Sequence, residues 1–180
     1  MNISEKYQGL STQELLDEAG NLAGRYLVNS GSCGQSTVAA LHDVLGFDDI
    51  LVKAATSFCG GMAEQFLGIC GALAGGIMVL DSFDGRPIEK MSTEQKIQEN
   101  TDAMKAAWKS TELLCDKFVA EHGSLTCAHI HRRYMGRIYY LRDDDEIAKF
   151  INGGGLDKAA KISGDVARWV LEILLNKTNT

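Results

Sequence analysis

Apolar residues along this chain recur at intervals of three and four, and the strict alternation of a half-buried strand is rare, so the pattern predicts helix almost throughout. Ser11-Thr12-Gln13-Glu14 has the form of a capping box, and Leu15, Leu16, Ala19, Leu22, Ala23, Tyr26 and Leu27 line one face of the helix it opens, to about Val28. Asn29 to Ser32 break that helix. A second starts near Cys33 and carries Val38, Leu41, Val44 and Leu45 to Gly46, and Asp48 caps a shorter one that Gly60-Gly61 ends. A third apolar helix runs from about Ile69 to Leu80, with Asp81 to Pro87 as a loop. Ser92-Thr93-Glu94-Gln95 caps a long helix reaching Glu121, and Gly123 stops it. Ser124 or Thr126 caps a segment from Cys127, and two last helices, Asp143 to Asn152 and Leu156 to Lys177, flank Gly153-Gly154-Gly155. The expected architecture is an all-α, single-domain helical bundle of about 6–8 helices over residues 1–180. The last helix carries a broad apolar face that includes Leu156, Ile162, Val166, Trp169, Val170 and Ile173. That face must pack on the chain's own core or form, with the long helix as the other candidate, the seam of a homodimer.

With 180 residues the chain can bury roughly 70% of its unfolded surface, so its core needs no disulfide staples. The net charge is −6, the acidic excess lies in the first half, and no basic excess marks a nucleic-acid partner. The longest uncharged run, Phe66 to Leu80, is shorter than the roughly 20 residues that span a bilayer, which argues against membrane insertion. The N-terminus lacks the basic and apolar regions of a secretory signal, so the expected location is cytoplasmic. Five cysteines in a reducing compartment do not read as a disulfide framework, which leaves metal binding, thiol chemistry or core packing.

Cys33, Cys70 and Cys127 each fall in or just before the first turn of a predicted helix. Unpaired backbone N–H groups there favour a thiolate and stabilise an anion, and a thiolate-ligated metal cluster is an anion. Cys115 lies about two turns before the end of its helix, and the turn at Gly123 folds the chain back toward Cys127, so four thiols could converge. Cys59 sits at a helix end and stands apart. The competing reading is that these cysteines pack as small hydrophobes. No Cys-x-x-Cys pair occurs, which excludes a thioredoxin-type site, a zinc ribbon and a ferredoxin run. Gly71 and Gly75, with Ala72 and Gly76, make a stripe of small residues that lets a cofactor or another helix approach the backbone.

Cys33, then Gly60-Gly61, then Cys70-Gly71-Ala72-Leu73-Ala74-Gly75, then Cys115 and Gly123-Ser124-Leu125-Thr126-Cys127 resemble the C_GCAxxG_C_C family of redox-active proteins, defined by four cysteines and a CGAxxG motif. The resemblance covers about residues 20–135, leaving 143–180 as a C-terminal helical extension. It maps the family cysteines onto Cys33, Cys70, Cys115 and Cys127, with Cys59 outside. The family is also similar to the iron–sulfur part of split-Soret cytochromes, but without Cys-x-x-Cys-His no haem role carries over. The resemblance implies a protein whose four cysteines ligate an iron–sulfur cluster and pass electrons to a redox partner protein, with Gly71 and Gly75 lining the cofactor. Two alternatives stand beside it: a metal-free thiol–disulfide protein in which Cys33 or Cys70 attacks, and a structural zinc or helical interaction protein. His129, His131 and the arginines after them are a ligand and anion site or a solvated helix face. Asp143 to Glu146 reads as acidic charge at a helix N-terminus.

Overall fold

The computed structural model describes residues 2–91, 93–94 and 101–178. Eight α-helices make up the described chain: α1 (Thr12–Ser30), α2 (Cys33–Leu45), α3 (Ile50–Ala54), α4 (Gly71–Asp84), α5 (Asp102–His122), α6 (Cys127–Met135), α7 (Asp144–Asn152) and α8 (Gly155–Thr178). The all-α expectation holds. The predicted capping box is formed: the Ser11 N–H donates to Glu14 Oε2 at 2.8 Å, and the Glu14 N–H donates back to Ser11 Oγ at 3.3 Å. Gly31 and Gly46 end α1 and α2 in the left-handed conformation that glycine adopts without penalty, and their N–H groups close onto the Leu27 and His42 carbonyls.

α8 is the central post. It packs against α1, α2, α4, α5 and α7, and its Val166, Ala167, Val170 and Leu171 are fully buried. Ile162, Val166, Val170 and Ile173 of its apolar face are buried against these helices, while Leu156 and Trp169 remain partly exposed. α1 meets α8 where two glycines cross: a Cβ on Gly164 would stand 2.8 Å from the Gly20 carbonyl oxygen. α2 and α4 cross in the same way, since a Cβ on Gly75 would stand 2.7 Å from the Gly34 oxygen and 3.2 Å from Val38.

Three boundaries differ from the pattern. α4 continues to Asp84, where the Gly85 N–H caps the Asp81 carbonyl at 2.7 Å, so Asp81 to Asp84 are helical rather than loop. α5 opens at Asp102 after Thr101, and the expected cap at Ser92 to Gln95 lies partly outside the described residues. α3 ends at Ala54, which leaves Cys59 in an irregular loop between α3 and α4 instead of at the end of a helix.

Candidate thiolate site

That loop is built from its own backbone. The N–H groups of Ala63, Glu64, Phe66 and Gly68 donate to the carbonyls of Ser57, Cys59, Gly60 and Gly61, each at 2.8–3.1 Å. The coil is tight enough to hold Met62, Ala63, Glu64 and Phe66 at positive φ, a conformation that costs a non-glycine residue roughly 1–2 kcal/mol. Two contacts hold it in place. The Cys70 N–H donates to the Leu125 carbonyl at 2.8 Å and the Cys127 N–H donates to the Gly68 carbonyl at 3.1 Å, an isolated antiparallel bridge that sets the starts of α4 and α6 side by side. At the other end the Gly34 N–H donates to the Phe58 carbonyl at 2.8 Å, and the Cys59 thiol donates to the Gly31 carbonyl at 3.3 Å, which ties the loop to the start of α2.

Three helices therefore begin in one neighbourhood, each with a cysteine at its first turn. Cys33 is the first residue of α2 behind its cap Ser32, Cys70 is itself the N-cap of α4, and Cys127 is the first residue of α6 behind Thr126. Glycines permit the approach. A Cβ on Gly71 would lie 2.1 Å from the Phe58 oxygen and 3.3 Å from the Cys33 Cβ, and one on Gly61 would lie 2.7 Å from the Cys127 Cβ. Gly71 and Gly75, expected to line a cofactor, are thus accounted for by backbone contact with the Phe58 carbonyl and with α2.

The five thiols differ in their electrostatic surroundings. The Cys33 thiol is held well above its ordinary 9.0, first by its hydrogen bond to Cys59, then by burial, then by charge on Cys59, Cys70 and Cys127. Cys59 moves the opposite way, to about 7, chiefly because the Cys33 side chain donates to its sulfur; the Cys33 backbone N–H adds to this and burial opposes it. Burial raises Cys70 although the N–H groups of Leu73 and Ala72 favour its thiolate, and burial with the charges of Cys70 and Cys59 pushes Cys127 up to about 12. Each of these four cysteines feels another of the set. Cys115 does not: burial and the neighbouring Asp116 raise it, and it packs against the hydrophobic core from the middle of α5.

The structure therefore sets Cys33, Cys59, Cys70 and Cys127 around the starts of α2, α4 and α6 and places Cys115 apart from them on α5. The physical reason is that Gly123 does turn the chain, but the turn delivers the start of α6 to the site and leaves the middle of α5 behind. Cys59 was missed because the backbone pairing of residues 58 and 34 has no local signature.

The remaining candidates resolve into structural roles. His129 Nδ1 lies 2.7 Å from Thr126 Oγ1 and helps close the first turn of α6. Arg133 reaches the Glu121 carbonyl at the end of α5, Arg137 pairs with Glu146, and Arg142 donates to the Ala63 carbonyl and so clamps the loop. Asp143 caps α7 by accepting from the Glu146 N–H at 3.0 Å. His131 stacks on Phe150 and meets Phe66 edge-on, so it braces the loop from behind. Among the described residues, the one group of three or more ligand-type atoms mutually within 4.8 Å is Glu121, His122 and Asp165, which the Lys161 ammonium already bridges at 2.9 and 2.6 Å. No three of the clustered sulfurs are that close together.

The described chain is a helical protein that gathers four cysteines around the starts of three helices. Residues 31–173 match the family described as "Putative redox-active protein (C_GCAxxG_C_C)", and the chain belongs to that family. The match runs through α7 and most of α8, beyond the stretch over which the sequence resemblance was read. No curated protein and no solved structure matches the chain. No helix among the described residues is long and apolar enough to cross a membrane.

Proposed function

We propose that this redox-active protein binds an iron–sulfur cluster through Cys33, Cys59, Cys70 and Cys127 and exchanges electrons with a partner protein. The observation that carries the reading is the gathering of four thiols at the N-termini of three helices. The donor set fits the group, because four thiolates suit iron–sulfur ligation, and three helix N-termini aim partial positive charge at an anionic centre. When bound, the cluster supplies one-electron chemistry. The chain's own contribution is to hold three of the sulfurs on helix starts and Cys59 on the loop tied to them, present the Ala72 and Leu73 N–H groups to the Cys70 sulfur, and keep Cys70 and Cys127 away from water.

Anaerobic reconstitution with iron and sulfide tests this. The wild-type chain should turn brown and retain iron and sulfide through gel filtration, as should Cys115→Ser, whereas Cys59→Ser should lose most of both. Retention by Cys59→Ser with loss by Cys115→Ser would return the fourth ligand to α5, and no uptake by the wild type would remove the cluster.

A further inference from the structure

Of the four thiols, Cys33 and Cys59 form a closer pair than the rest. The Phe58 carbonyl accepts from the Gly34 N–H at 2.8 Å, and the Cys59 thiol donates to the Gly31 carbonyl at 3.3 Å, so two contacts straddle Cys33 and press residue 59 against it. Exposure divides the group as well. Cys70 and Cys127 are 5% and 6% exposed, while Cys33 and Cys59 are both only partly buried. A small oxidant therefore reaches this pair before the two buried members of the site, and Cys59 meets it from the loop.

We propose that the metal-free protein reduces hydroperoxides through this pair, with Cys59 as the attacking sulfur and Cys33 as the resolving one. In the first step the Cys59 thiolate attacks the distal oxygen of the hydroperoxide. A sulfur–oxygen bond forms, the O–O bond breaks, and the alkoxide or hydroxide that leaves takes a proton from water. Cys59 is now a sulfenic acid, oxidised by two electrons, and the peroxide has become an alcohol or water. In the second step the Cys33 sulfur attacks the Cys59 sulfur. The S–S bond forms, the S–O bond breaks, and the hydroxyl departs as water with the Cys33 proton. Two thiols and one hydroperoxide give one disulfide, one alcohol and one water. An external thiol returns the pair to the reduced state by exchange.

The disulfide stands independently of any metal, but its consequence rests on the cluster reading. Oxidation withdraws two of the four ligands, so the oxidised chain cannot load a cluster until it is reduced.

The test uses the full-length, reduced, metal-free protein treated with one equivalent of hydrogen peroxide, then alkylated, digested and mapped by mass spectrometry. The expected product is a Cys33–Cys59 cross-linked peptide, with Cys70, Cys115 and Cys127 alkylated. Cys33→Ser should leave Cys59 as a sulfenic acid that dimedone traps, and Cys115→Ser should behave as wild type. A disulfide joining any other pair, or an unmodified Cys59, overturns the proposal. Iron loading of the same samples separates the two readings. If the reduced protein takes up no iron but the Cys33–Cys59 peptide appears, the pair stands and the cluster falls. If iron loads equally before and after peroxide and no Cys33–Cys59 peptide appears, the pair is not oxidised and the proposal falls; equal loading with that peptide present leaves the pair standing and takes Cys33 and Cys59 out of the ligand set.

Discussion

A thiol that ligates a metal must first give up its proton, and three of the four sulfurs here resist doing so. Cys33, Cys70 and Cys127 lie above the ordinary 9.0, through the Cys59 hydrogen bond for the first and burial for the other two, while Cys59 falls to about 7. At neutral pH the metal-free site therefore carries about three protons, and a centre that takes all four sulfurs has to expel them. Raising the pH removes protons that the metal would otherwise displace, so affinity should climb steeply through neutrality, keep rising above about pH 9 and collapse in acid. Competition against a metal chelator at several pH values measures this directly. An affinity that does not change with pH would mean that the ligands are not these thiols.

The elements that bring the sulfurs together depend on absent side chains more than on present ones. Gly34 faces Phe58 so closely that a Cβ would lie 2.6 Å from the Phe58 Cβ and 2.7 Å from its carbonyl oxygen. Gly34→Ala should therefore lift the start of α2 off the loop and destabilise the chain by roughly 1–3 kcal/mol, the usual range for overpacking. Gly76→Ala serves as a contrast. Its Cβ would meet Val166 at 2.6 Å in the core, so it should also lower the melting temperature but leave the Cys33–Cys59 disulfide yield unchanged, whereas Gly34→Ala should reduce that yield. Equal yields in the two variants would show that the α2–loop contact does not set the pair. This contrast also marks how far the sequence is readable. The capping box at Ser11 and the stop at Gly123 are local, so α1 and the end of α5 could be read from a few adjacent residues. That Cys33, Cys70 and Cys127 stand at helix starts was legible because a helix start is visible in sequence. The nearness of Cys59 to them was not, because it depends on the Phe58–Gly34 and Gly68–Cys127 backbone contacts. Both are long-range, and Met62, Ala63, Glu64 and Phe66 carry no residue preference for the left-handed turns that make them.

At the scale of the whole molecule, α8 closes the core over His122, and His131 is held between Phe66 and Phe150. His122 is fully buried, with Nδ1 2.8 Å from the Tyr134 hydroxyl and Nε2 3.5 Å from Asp165, and burial lowers its pKa despite that carboxylate. His131, between Phe66 and Phe150, has a buried Nδ1 without a hydrogen-bond partner, and burial takes it down to about 4. The sign for stability follows from linkage. Below the ordinary 6.5 the unfolded chain takes up protons on these rings that the folded chain refuses, so acid favours unfolding. For His131 the contribution is fully present above about pH 6.5 and is lost progressively down to about pH 4. The Arg137–Glu146 pair acts lower. Arg137 first and then Lys149 hold Glu146 down to about 2 from 4.5, so its stabilisation is present above 4.5 and lost as the pH falls toward 2. The two windows can be separated by His131→Phe, which keeps an aromatic ring between Phe66 and Phe150 and removes the titrating nitrogen. Denaturant melts of wild type and variant should diverge as the pH falls from 6.5 to 4, with the variant losing less stability across that interval. Below it the two curves should run parallel, because Glu146 titrates in both. Parallel curves across the upper window would instead place the acid sensitivity on His122 and its contact with Asp165.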